Sequence, residues 1–243
     1  MKKKFMLGLA FGTLLVSFTA LVAPSMGNPG GLAALQKAAK ENKHLFVFLY
    51  EKDDARTRSI RKTFEADMIP VAASCNWIAL DKKAEKGLVE KYRLSDLPTP
   101  FVFAVAPNGA VTGRFRKWTP DRIKRSIATP VRQRCLKALQ DNKLVFLCIQ
   151  GPTTLKNEEA LLGVSELRAD PQSASLTEAV TLDPADPTEE SFLKRLMIDT
   201  RSKEALTVLV ASSGSQIATF RGATTKKDLL AALEKAAGNA SKK

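Results

Sequence analysis

A repeat restricts the fold of this chain more than any other feature. A succession of turn, strand and hairpin signals that starts near residue 41 starts again about a hundred residues later. Glu41-Asn42-Lys43 precedes one apolar run and Asp141-Asn142-Lys143 precedes another. In the same order, Val47-Phe48-Leu49 matches Val145-Phe146-Leu147, and Leu80-Asp81 matches Leu182-Asp183. The turn from Ala106 to Gly109 matches Ala211 to Gly214, and Phe115-Arg116 matches Phe220-Arg221. Ordered matches of this kind read as a duplicated unit. They divide the 243 residues into a leader (1–27), a first domain (28–129) and a degenerate second domain (130–243). The boundary falls near Thr129-Pro130, and each unit has a common domain size.

Within the first unit, Leu32, Leu35 and Ala39 have helical spacing up to Glu41. His44 to Tyr50 (HLFVFLY) is apolar almost throughout, as in a strand buried on both faces. Asp53 or Asp54 can cap the next helix, which carries Ile60, Phe64 and Met68 on one face and ends or kinks at Pro70. Trp77 to Leu80 reads as a strand, and Ala84 to Tyr92 as a helix with Leu88, Val89 and Tyr92 inward. Phe101 to Ala106 and Val111 to Arg116 flank the turn Pro107-Asn108-Gly109, a hairpin signal. Thr119 caps a last helix through Ile127, with Pro120 at its first position. The order α-β-α-β-α-β-β-α calls for parallel pairing through helices plus an antiparallel edge, an α/β class with a mixed central sheet flanked by helices.

From His44 to Ile127 the chain resembles the thioredoxin-like superfamily. The most specific piece is Leu97-Pro98-Thr99-Pro100-Phe101-Val102-Phe103 followed by Pro107-Asn108-Gly109. The resemblance places the family's cis-proline at Pro100, with Thr99 before it, and implies that extended peptides pair with the backbone there. It places the two redox cysteines at Asp54 and Thr57 and the buried proton-relay carboxylate at Phe48, so the Cys-x-x-Cys chemistry is missing as a whole. Tyr50 stands where the family has an aromatic residue. A carboxylate at Asp54 accepts hydrogen bonds as an ordinary cap, where a cysteine would become a thiolate. The second unit departs further: its site loop is Gln150-Gly151-Pro152-Thr153-Thr154, and Ala205 takes the proline position.

The N-terminus has the layout of an export signal. Lys2, Lys3 and Lys4 precede an uncharged run from Phe5 to Val22, and Ser25 and Gly27 suit cleavage before Asn28. A cleaved leader predicts a periplasmic or secreted protein; an uncleaved membrane anchor is the alternative. Net charge is +13. The excess lies between Ala110 and Gln140, where Arg114, Arg116, Lys117, Arg122, Lys124, Arg125, Arg132, Arg134 and Lys137 face one acid, Asp121. Such a surface attracts acidic proteins or an anionic envelope surface, or serves as a solvated face.

Other chemistry is poorly supplied. His44 is the only histidine, so a His-based triad has one candidate and no marked nucleophile beside it. His44, Cys75, Cys135 and Cys148 are too scattered for a zinc site, and no phosphate-binding loop or dinucleotide fingerprint occurs. No cofactor, metal or nucleic acid is expected, and the sequence does not set the oligomeric state. Three cysteines leave at least one unpaired; Cys135 and Cys148 could pair, and Cys148 sits in an apolar strand. The expectation is a redox-inactive protein-binding or folding-assistance module, with Tyr50, Asp54, Thr57, Thr99, Pro100, Arg114 and Arg116 as binding residues. The alternative is a thiol-disulfide oxidoreductase that works through one noncanonical cysteine, with Cys75 the best placed.

Overall fold

The computed structural model describes residues 30–240, with side chains through residue 236; the expected leader lies outside the described residues. The first unit runs α1 (Gly31–Lys40), β1 (His44–Tyr50), α2 (Ala55–Met68), β2 (Cys75–Asp81), α3 (Lys86–Lys91), β3 (Phe101–Val105), β4 (Val111–Phe115) and α4 (Pro120–Ser126). Its sheet has the order β2-β1-β3-β4, with β1 parallel to β2 and the other pairs antiparallel. The apolar run in β1 follows from helices on both faces of this sheet. Leu45, Val47 and Leu49 point to one side, with Ala34, Ala38, Leu80 and Leu88. Phe46 and Phe48 point to the other, with Phe64, Met68 and Ile123.

The second unit repeats the plan with α5 (Pro130–Gln140), β5 (Leu144–Ile149), α6 (Asn157–Arg168), α7 (Pro171–Leu176), β6 (Thr177–Leu182), α8 (Glu190–Arg195), β7 (Leu206–Val210), β8 (Gln216–Arg221) and α9 (Lys226–Ala240). Its sheet order, β6-β5-β7-β8, is the same as the first, and α7 is an added helix. The repeated asparagines take the same left-handed backbone, with φ 52° at Asn42 and 60° at Asn142. Gly109 and Gly214 close the two hairpins at φ 84° and 85°, a conformation that suits glycine.

Three expectations change. The central strands align two residues away from the sequence match: Leu45 pairs with Val105 and Val145 with Val210, so Phe46 corresponds to Phe146. A slip of two leaves every side chain on its own face, so the apolar pattern could not detect it. On α1, Ala34 and Ala38 are buried, whereas Leu32 and Ala39 are exposed. The start of the helix lies close to α3 and β2: a Cβ on Gly31 would stand 2.7 Å from a Leu88 methyl carbon and 2.9 Å from one of Leu80, while Leu35 packs partly buried against the same core. Lastly, Cys135 and Cys148 are both free thiols, on α5 and β5, and form no disulfide.

Candidate functional site

The site is built where β1 ends and α2 begins. Asp54 caps α2, its Oδ1 accepting from the Thr57 amide at 2.7 Å. That bond holds the Asp54 carboxyl below its ordinary pKa and keeps it an anion. Thr57 is buried one turn later. The two positions that the resemblance matches to redox cysteines therefore hold a cap and a buried hydroxyl. Phe48, at the place of the relay carboxylate, is fully buried and packs against Phe64 and Trp118 with ring centroids 5.7 and 6.2 Å away.

Thr99-Pro100 is a cis peptide, and β3 starts at the next residue. No hydrogen bond involves Thr99 among the described residues, and the residue is half-buried. Its main-chain groups are thus unpaired beside a cavity of about 920 Å³. All seven residues singled out from sequence line that cavity: Tyr50, Asp54, Thr57, Thr99, Pro100, Arg114 and Arg116. Sequence reasoning missed Lys52, Arg56, Ile60 and Phe115 as part of it, and did not assign Lys117 and Arg122 to it. Lys117 directly follows Arg116 just past the end of β4, and that run of charge was the available signal for this side of the cleft.

The walls are strongly basic. Lys52, Arg56, Arg114, Arg116, Lys117 and Arg122 outnumber the two lining acids, Glu51 and Asp54. Glu51 is paired with Lys82 at 3.2 Å and Asp54 is committed to its cap. Arg114 is anchored by donating from Nη2 to the Tyr92 carbonyl at 3.0 Å. Arg61 lies 5.6 Å over the Tyr50 ring and pairs with Asp53. Lys52, Arg56, Arg116 and Lys117 make no side-chain hydrogen bond or ion pair among the described residues, so they are free for an anionic guest.

The second unit closes the corresponding edge on itself. Strand register makes Glu204 the counterpart of Thr99 and Ala205 that of Pro100. There Leu155 bridges to Glu204 as a parallel strand residue, donating to the Lys203 carbonyl at 2.8 Å and accepting from the Ala205 amide at 2.9 Å. Lys156 pairs with Glu204 at 2.7 Å. Thr154 and Asn157 tie the loop to Gly151 by side-chain bonds of 2.8 and 2.9 Å. The chain's own loop thus pairs with the main chain on either side of Glu204, and the Ser202 hydroxyl donates to the Glu204 carbonyl at 2.8 Å, so the counterpart of Thr99 is already bonded.

No thiol lines the open cleft. Cys75, expected to be the accessible thiol, opens β2 and is buried. Burial pushes the thiols of Cys75 and Cys135 up to about 12 and that of Cys148 to about 11, which favours the thiol over the thiolate at neutral pH. His44 is buried, and its Nε2 accepts from the Ala128 amide at 3.0 Å, a structural role. Among the described residues no group of three or more His, Cys, Asp or Glu side chains could hold a metal ion.

Helix and strand order and sheet topology, shared by both units, define two tandem domains of thioredoxin-like fold; the cis-proline precedes β3 in the first. Solved structures similar to this chain include two pairs of thioredoxin domains and a domain of a peroxide reductase. The first two thioredoxin domains of Naumovozyma dairenensis Eps1p are 10% identical with a TM-score of 0.35, over 82% of this chain and 92% of that one. Those of Saccharomyces cerevisiae Eps1p are 9% identical with a TM-score of 0.34, over the same shares. The NTD_N/C domain of the alkylhydroperoxide reductase AhpF from Enterococcus faecalis is 14% identical with a TM-score of 0.29, over 83% of this chain and 98% of that one. No protein-family model matches the sequence, and no curated protein does.

Proposed function

We propose that this is an exported, redox-inactive thioredoxin-like protein that captures an extended acidic segment of a partner protein in the cleft of its first domain. The observation that carries this reading is the unpaired main chain at Thr99 beside a basic, thiol-free cavity. A strand laid along Thr99 would gain main-chain hydrogen bonds, the mode by which extended peptides add to exposed edges. Lys52, Arg56, Arg116 and Lys117 would select for carboxylates on that strand and speed its encounter. The loop closure at Leu155–Glu204 supports a single capture site per chain, in the first domain.

The test uses two fluorescein-labelled decapeptides, one alternating Glu and Val, the other alternating Lys and Val. Fluorescence anisotropy should report binding of the acidic peptide alone, weakening as salt is added. Combined Arg116→Glu and Lys117→Glu should weaken it at least about tenfold, while Cys75→Ser leaves it unchanged. Equal affinity for both peptides, or no loss on charge reversal, overturns the reading. A mixed disulfide trapped between Cys75 and a client would shift the function to thiol exchange.

A further inference from the structure

We propose that the seam between the two domains is a second binding site, for a phosphate-class oxyanion carried on a small apolar group. A cavity of about 450 Å³ opens there, apart from the peptide cleft. Lys124 and Arg125 come to it from α4, Arg132 from α5 and Arg195 from α8, so both domains supply the charge. None of the four makes an ion pair among the described residues.

Of the acids nearby, Glu190 and Asp186 have partners of their own, and Glu189 lies near Arg132. Glu189 is buried and accepts from the Thr129 hydroxyl at 2.8 Å, and Glu190 pairs with Lys194 at 2.6 Å. Asp186 accepts from the Thr188 amide at 2.8 Å. Arg132 is half-buried and held by one bond, from Nη1 to the Arg125 carbonyl at 2.8 Å. Burial and the like charge of Arg195 both disfavour its guanidinium, with Glu189 opposing them. An anion seated among these cations would relieve that repulsion.

The chemistry of the guest follows from the lining. Guanidinium groups favour planar or tetrahedral oxyanions that accept two parallel bonds, and several cations at once suit a dianion better than a single carboxylate. The volume falls in the range of small-molecule sites and exceeds what one tetrahedral oxyanion fills. Ile127 and Phe192 wall the remainder, where a short hydrocarbon group would lose contact with water. A bound guest would bridge α4 of one domain and α8 of the other.

The experiment is an amide NMR titration of the ¹⁵N-labelled protein at low ionic strength with hexyl phosphate, inorganic phosphate and hexanol. Saturable shifts are expected at α4, at Thr129 to Arg132 and at α8. Hexyl phosphate should bind at least about tenfold tighter than inorganic phosphate, and hexanol should not bind. Arg195→Gln and, separately, Lys124→Gln should each weaken hexyl phosphate severalfold and leave the spectrum otherwise folded. Co-sedimentation with phosphatidylglycerol vesicles separates the sources. Vesicle binding lost in Arg195→Gln assigns the oxyanion to a lipid headgroup; hexyl phosphate binding without vesicle binding assigns it to a soluble ester. Shifts confined to the cleft around Thr99, shifts absent altogether, or unchanged affinity in both variants would overturn the proposal.

Discussion

His44 should make the first domain measurably acid-sensitive, and the size of the effect can be worked out from its surroundings. The imidazole is buried and serves as a hydrogen-bond acceptor for Ala128, so only its neutral form fits. Burial, then the Arg132 charge, lowers its pKa from 6.5 to about 4. Above pH 6.5 both folded and unfolded chains carry a neutral ring, and His44 adds no pH dependence. Between 6.5 and 4 the unfolded chain takes up a proton that the folded one refuses, so stability falls with pH. At about 1.4 kcal/mol per pH unit, the loss reaches about 3 kcal/mol near pH 4. Trp77 and Trp118 both lie in the first domain, so urea unfolding followed by tryptophan fluorescence reports on that domain alone. His44→Gln should be less stable at about pH 7.5 by about 1–3 kcal/mol, because the Ala128 amide loses a well-placed partner. Its stability should fall less on acidification, by most of the 3 kcal/mol. Carboxylates titrating in the same window cancel in the difference between the two proteins. A proton NMR titration that puts His44 near 6.5, or parallel pH profiles for the two proteins, would refute the reasoning.

Other expectations follow from particular contacts. Phe64 is fully buried and stacks on Phe48 and against Trp118, so Phe64→Ala should destabilise the first domain by about 3–5 kcal/mol in the same urea assay. A Cβ at Gly163 would stand 2.1 Å from the Thr224 carbonyl oxygen, which is backbone; Gly163→Ala should destabilise the second domain by about 1–3 kcal/mol, read by circular dichroism. All three thiols should react slowly with a thiol reagent at about pH 8 and fully in denaturant, given their raised pKa values. The native protein should also fail to reduce insulin disulfides in a turbidity assay, because no thiol lines the cleft.

Much of the fold could be read from sequence, since its strongest signals are local. The run from His44 to Tyr50 is apolar because helices cover both faces, and Asp54 and Thr119 sit at caps whose chemistry is short-range. The hairpin glycines needed positive φ in both units. What was hidden depends on distance between elements. The inward face of α1 begins with Gly31 because of the close approach to Leu80 and Leu88 there, and Ala34 and Ala38 are its buried residues further along. Cys75 stood at a strand edge in sequence, and only the packing of α2 and β1 around it makes it inaccessible. In the cleft, Thr99 and Pro100 were marked by a motif and Arg114 and Arg116 by charge. Lys52 and Arg56 join them only when the start of α2 and the end of β4 come to line one cavity. The Leu155–Glu204 bridge spans a loop with no propensity signal, so the closed edge of the second domain had no trace in the sequence.

The most direct measurement is hydrogen–deuterium exchange of the protein with and without the Glu-Val decapeptide. Peptide capture predicts slower exchange at Thr99 and Phe101 and in the segments around residues 50–57 and 114–117, with the Leu155–Glu204 region of the second domain unaffected. Protection confined to the second domain, or no protection at Thr99 under saturating peptide, would contradict capture at the open edge of the first domain.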